Sequence, residues 1–237
     1  MPTPNVLVFD VNETLLDIAS LAPLFVDLFG DERVLREWFA QLIMYSMSVT
    51  LADNYVTFST LAQGVLRMVG DMRHVDVSDD DLDRLKTGLL TMPAHPDVAH
   101  GLTALRDDGF HLVTLTNSPP NADGPTALQN SGLAEFFEQQ LSVDARRAFK
   151  PAPAVYRYAC ETLGVAPADC MMVAAHPWDL LGAQNVGFRA ALIARPGNPP
   201  LPVEGLPQPD LVVGDMRQLA RELTQLRDTG RTDSGSR

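Results

Sequence analysis

One carboxylate stands where a buried strand gives way to a polar turn. In the stretch from Val6 to Asp17, VLVFDVNETLLD, a run of β-favouring apolar residues ends in Asp10, and Asn12, Glu13 and Thr14 follow at once. Open α/β sheets bind ligands in the crevice outside the carboxyl ends of their strands, so an acid released there is placed to react. Read alone, Asp10 begins a turn or caps a helix just as readily. Three later stretches bear on the choice: the polar turn Thr116-Asn117-Ser118, the lysine of Phe149-Lys150-Pro151-Ala152-Pro153, and the segment from Ala174 to Asp179, AAHPWD. A lysine on a turn is by default a solvated charge. Beside Asp10 its ammonium would keep the carboxylate ionised and nucleophilic and would offset the charge of an anionic substrate.

Bringing these groups together is a matter of topology. From Leu15 to about His95 the chain reads as helical, with Leu35, Trp38, Phe39, Leu42, Ile43 and Ser46 at helical spacing and Phe58, Leu61, Ala62, Val65, Leu66 and Val69 repeating the pattern. From Pro96 the texture becomes an alternation of helix and strand. Strands are expected at His111 to Leu115, Gln139 to Val143, Met171 to Ala175, Arg189 to Ile193 and Leu211 to Val213. Helices are expected up to about Asn130, from about Ala152 to Leu163 with Pro151 starting it, after Trp178, and from Met216 to Leu226. Such alternation implies an α/β fold, a Rossmann-like parallel sheet with helices on both faces. The helical segment then becomes an inserted cap over the carboxyl ends. This gives a catalytic core of 1–15 and 96–230, a cap of 16–95 and a disordered tail of 231–237.

Composition narrows the function. The chain has 237 residues, 46% hydrophobic and 20% charged, which suits a soluble globular protein. A net charge of -12 leaves no basic stripe for phosphates, so nucleic acid is not an expected partner, and any anion site must be local and built from a few cations. Cys160 and Cys170 form no metal or redox pattern and read as buried residues. The start MPTPNVLVFD lacks a signal-peptide pattern and no apolar run approaches a membrane span, so a cytoplasmic location without membrane contact is expected.

The four stretches DVNETLLD, LTNS, FKPAPAVY and AAHPWD, in this order, resemble the four motifs of the haloacid dehalogenase superfamily. The Ser-Val-Asp before the lysine, the tyrosine of KPAPAVY and the Trp-Asp pair are most similar to the L-2-haloacid dehalogenases. That resemblance implies a Rossmann-like core under a helical cap, a homodimer, and hydrolysis of a small 2-haloacid through an aspartyl ester. Asp10 would be the nucleophile. Thr14 and Thr116 would position it or bind substrate, Asn117 would act near the substrate carboxylate, and Lys150 would orient Asp10. Tyr156 would support the site, and Asp179 would hold Lys150 or position water. Phosphatases of the superfamily place a general acid two residues after the nucleophile, because an alkoxide must be protonated as it leaves. Here that residue is Asn12, which suits a halide. Ala175 occupies an earlier acid position of the phosphatase magnesium site, so no metal and no cofactor are expected.

The chain departs from this pattern in the cap and in the fourth motif. Aligning Trp38 and Tyr45-Ser46 puts Phe39 where the dehalogenases carry an arginine, with Arg36 about one helical turn earlier. The halide is then held by aromatic edges, amides or His176, or the substrate is not a haloacid. His176 reads as a partner of a backbone carbonyl, a donor toward the leaving halide or a base for water. Trp178 and Phe58 read as pocket walls or as plain core, and Glu13 as facing away from the site. Two rival functions follow: a divergent magnesium-dependent phosphatase, and a non-catalytic binder of small acids.

Overall fold

Six short apolar runs pair as one parallel sheet. They are β1 (Val6–Phe9), β2 (His111–Thr116), β3 (Gln139–Ser142), β4 (Cys170–Ala174), β5 (Arg189–Ile193) and β6 (Leu211–Val213), in the order β3-β2-β1-β4-β5-β6. The structure, a computed structural model, describes residues 4–121 and 124–234, with side chains described as far as 229. β1 and β4 are buried along their whole length, as central parallel strands covered on both faces must be. The strand order reverses direction at the β1–β4 pair, the place where open α/β sheets leave a crevice. In this register Phe9 lies opposite Thr114 on one side and Val173 on the other. Asp10 therefore emerges just beyond the last paired residue of the sheet's centre.

Between β1 and β2 the chain forms α1 (Ala22–Phe29), α2 (Val34–Leu51), α3 (Phe58–Arg73), α4 (Asp79–Leu90) and α5 (Val98–Asp107). The expected apolar positions of α2 are all buried, from Leu35 and Trp38 through Phe39, Leu42 and Ile43 to Ser46. The Thr57 hydroxyl caps α3, and Ser78 with Asp81 forms a capping box that starts α4. Local contacts fix this helical segment to the rest. The Phe149 amide donates to Thr50 Oγ1 (2.9 Å), Tyr55 OH to Asp144 Oδ1 (2.8 Å), and Asn130 Nδ2 to the Leu90 carbonyl (2.8 Å).

The remaining helices are α6 (Ala127–Asn130), α7 (Pro153–Leu163), α8 (Pro177–Asn185) and α9 (Met216–Ser234). α7 begins at Pro153 rather than at Pro151, because Ala152 precedes a proline and is held extended, with φ -59° and ψ 130°. The expected helix before Asn130 is reduced to the single turn of α6. The closing helix runs past Leu226, so its end overlaps the expected tail from 231; residues 235–237 lie outside the described residues. Among the described residues no helix is long and apolar enough to cross a membrane.

Candidate active site

Each catalytic candidate comes from a turn at the carboxyl edge of the sheet. Asp10 follows β1, Asn117 follows β2, Lys150 precedes α7, and Asp179 sits in the first turn of α8, whose N-cap His176 lies two residues past the end of β4. Lys150 is fully buried, and its three ammonium donors are all used: on Asp10 Oδ1 (2.7 Å), on Asp179 Oδ2 (2.7 Å) and on the Leu115 carbonyl (2.9 Å). The register explains the last contact, since Leu115 of β2 stands beside the end of β1. Asn117 Oδ1 accepts from the Lys150 amide (3.1 Å) and so fixes the lysine's backbone. Tyr156 OH donates to Asp179 Oδ1 (2.6 Å), also approaches the Asp179 carbonyl (3.0 Å), and is itself fully buried. Tyr156 thus supports the far side of the lysine and has no face toward a substrate.

The other oxygen of Asp10 is met by Thr14, whose hydroxyl donates to Oδ2 (2.7 Å) and accepts from the Ala175 amide (2.8 Å). Thr14 is braced in turn by Arg195, which donates to the Thr14 carbonyl through Nη2 (2.9 Å) and Nε (3.2 Å) and pairs with Asp97 (2.8 Å). Asp97 also caps the start of α9 by accepting from the Met216 amide (2.8 Å). Both charges of this Arg195–Asp97 pair are buried.

Glu13 contradicts its expectation. It is buried and turned into the site, where Oε2 meets His176 Nε2 (2.7 Å) and Oε1 accepts from Arg36 Nη1 (2.6 Å). Its backbone explains the difference: φ is +62°, a left-handed conformation that a residue bearing a Cβ adopts at a cost of about 1–3 kcal/mol, and it swings the side chain inward. The Glu13 carbonyl meets His95 Nε2 (3.1 Å), which helps to hold that conformation. Arg36 continues outward to the Pro196 carbonyl (2.8 Å), tying α2 to the loop after β5. The cation one turn before Phe39 therefore reaches the site through Glu13.

His176 lies between Glu13 and the nucleophile. Its Nδ1 is buried without a hydrogen-bond partner among the described residues and stands 3.5 Å from Asp10 Oδ2. Aromatic rings flank it, Trp178 stacked at 5.0 Å with 20° between planes and Phe39 at 5.7 Å. Phe39 and Trp178 thus wall the histidine. Phe58 is buried against Phe149 (5.8 Å), and Thr116 uses its Oγ1 to accept from the Ser118 amide (3.1 Å), shaping the turn rather than touching Asp10. Asn12 and Thr116 line a cavity beside these turns together with Phe58.

The electrostatics separate the roles of these groups. Burial pushes the Asp10 carboxyl up, but Lys150 and His176 overcome it and hold it well below the usual carboxylate range, so it is ionised at neutral pH. Burial raises Asp179, with Lys150 opposing. Lys150 is raised despite burial, by Asp10 and Asp179, and stays an ammonium. For His176, burial lowers the pKa, yet Asp10 and Glu13 raise it to about 9, so the ring is an imidazolium at neutral pH. Flanking π-faces favour that charged form. The arrangement can supply an ionised oxygen nucleophile and, beside its Oδ2, a cationic N–H donor that makes no hydrogen bond among the described residues.

Sequence reasoning missed Glu13, Arg36, Arg195 and Asp97 as parts of the site. A signal was present for one of them: the sequence places an acid at position 13 and a histidine at position 176, on two turns expected at the same sheet edge.

The chain is similar to known proteins over most of its length. The model of the haloacid dehalogenase-like hydrolases matches residues 4–187. The chain is 33% identical over 195 residues to (S)-2-haloacid dehalogenase 4A of Burkholderia cepacia, covering 81% of this chain and 84% of that one. A crystal structure of a dehalogenase superposes with a TM-score of 0.86 at 29% identity, covering 94% of this chain and 99% of the other. The L-2-haloacid dehalogenase of Xanthobacter autotrophicus, solved with chloropropionic acid covalently bound, superposes with a TM-score of 0.81 at 26% identity, over 92% and 97% of the two chains.

Proposed function

The chain belongs to the haloacid dehalogenase-like hydrolases, and on that footing we propose that it releases halide from small (S)-2-haloacids through an ester on Asp10. The observation that carries this reading is an ionised Asp10 at the sheet's edge, fixed by Lys150 and Thr14, with Asn12 where an alkoxide leaving group would need an acid. In the first step the carboxylate attacks C2, and the carbon–halogen bond breaks with its electron pair leaving as halide. Water then attacks the carboxyl carbon of the ester, which returns Asp10 and yields the 2-hydroxyacid and a proton.

His176 serves both steps in this reading. As an imidazolium it offers the Nδ1–H that stands beside Asp10 Oδ2 to the departing halide. Ester formation removes the charge of Asp10, which is one of the groups that keep the ring protonated. The ring's pKa then falls and Nδ1 gives up its proton to solvent, after which the neutral ring can accept a proton from the attacking water while Glu13 holds Nε2. Lys150, already bonded to three acceptors, holds the carboxyl group in place throughout.

Magnesium does not suit the donor set. Ala175 stands where an acid would be needed, and both oxygens of Asp179 are taken, by Lys150 and Tyr156. A cytoplasmic location and a homodimer belong to the same proposal. Met44, Tyr45 and Leu51 are exposed on α2 and would be covered in such a dimer, which a light-scattering mass tests. The function itself is tested by incubating the protein with chloroacetate and L-2-chloropropionate and measuring halide. Release without added metal supports it, and silence across chloro-, bromo- and fluoro-acids defeats it.

A further inference from the structure

A cavity of about 520 Å³ lies between α4 and the carboxyl ends of β1, β2 and β3. It is lined by Asn12, Thr116 and Ser118 of the turns beside Asp10, while Asp10 itself and the wall of Phe39, His176 and Trp178 do not line it. The volume falls among pockets that hold drug-sized ligands, about 300–1,000 Å³, far more than a two- or three-carbon acid fills. Its sides are apolar, from Phe58, Leu89 and Leu128 among others.

Two polar features of the lining stand out. Thr114, fully buried on β2, lines the cavity, and its Oγ1 has no hydrogen-bond partner among the described residues. The second feature is Lys86 on α4, the one charged residue lining the cavity, exposed and in no ion pair among the described residues. The sequence holds only two lysines, this one and Lys150. In a chain of net charge -12, an isolated cation at the cavity selects for an anionic group locally.

Resting on the dehalogenase reading above, we propose that the preferred substrate is an elongated 2-haloacid whose aliphatic chain runs through this cavity and ends in a second carboxylate held by Lys86. The halogen then faces His176, while the chain leaves in the opposite direction past Asn12 and Thr116.

The test compares kcat/KM for 2-chloropropionate, 2-chlorohexanoate and 2-chloroadipate in the wild type, Lys86→Met and Leu89→Trp. The wild type is expected to favour both six-carbon acids over 2-chloropropionate. It should favour the dicarboxylate over 2-chlorohexanoate by about fivefold, the size of a partly solvated ion pair. Lys86→Met should erase that last preference and spare 2-chloropropionate, and Leu89→Trp should slow both six-carbon acids alone. A wild type fastest on 2-chloropropionate, or a Lys86→Met variant that changes all three acids equally, overturns the proposal. If no acid yields halide, the dehalogenase reading fails, and calorimetric titration with adipate decides the cavity separately. Saturable binding that is lost in Lys86→Met supports the site, and absence of binding to the wild type overturns it.

Discussion

The two oxygens of Asp10 face surroundings built in different ways. On the Oδ1 side every partner is supplied by the sheet core: Lys150, Asp179, Tyr156 and the Leu115 carbonyl form a fully buried set with each lysine donor satisfied. On the Oδ2 side Thr14 is fixed, but the next groups run outward as His176, Glu13 and Arg36 to the helical segment, and one buried nitrogen of His176 makes no hydrogen bond among the described residues. The first side holds a charge still. The second keeps a proton donor available and connects it to a half-exposed arginine. The difference teaches that one carboxylate can be both rigidly ionised and adjacent to a group whose protonation responds to the reaction.

Breaking the first side should have the larger effects. Asp10→Asn removes the nucleophile, and halide release should fall by at least about 10³-fold, measured by ion-selective electrode on a variant whose circular dichroism matches wild type. Lys150→Met leaves two carboxylates buried without their cation. It should lower stability by about 3–5 kcal/mol in urea denaturation as well as abolishing measurable turnover.

The second side should reveal itself in the later step and in pH dependence. His176→Asn should slow ester hydrolysis by about 10²-fold or more while slowing alkylation less, so that intact-protein mass spectrometry detects accumulated ester. In the wild type, His176 has a folded pKa of about 9 against an ordinary value of 6.5. Its contribution to stability is therefore complete below 6.5 and is lost as the pH rises through about 9. The melting temperature of wild type should fall relative to His176→Asn across that window, and the alkaline decline in halide release should disappear in the variant. Glu13→Gln removes one of the groups that raise His176, so the alkaline decline should move to lower pH, with a loss in kcat of no more than about tenfold. Asn12→Ala and treatment with EDTA should have the smallest effects, leaving most halide release intact.

The sequence and the structure agree closely on the first side and poorly on the second. Two strands, Arg189–Ile193 and Leu211–Val213, have the expected bounds, and the others differ by about a residue, because short β-branched and aliphatic runs between turn residues leave little choice. Asp10, Lys150 and Asp179 were legible because parallel strands bring their following turns to one edge. Glu13 was not, since its orientation depends on a positive φ that no side-chain pattern announces. Arg195 and Asp97 were hidden for another reason: charged residues default to the surface, and only three-dimensional pairing allows both to be buried. Arg36 lay in view but one turn from the position where a cation was sought, and its route to the site passes through that same Glu13.

A single turnover in water enriched in oxygen-18, with enzyme in excess over L-2-chloropropionate, tests the central claim most directly. Attack by Asp10 followed by ester hydrolysis puts the label into the Asp10 carboxylate, read by mass spectrometry of the peptide that contains it, and leaves the first product hydroxyl unlabelled. Label found only in the product hydroxyl, with Asp10 unlabelled, would mean that water displaced the halide directly and would contradict the role assigned to Asp10.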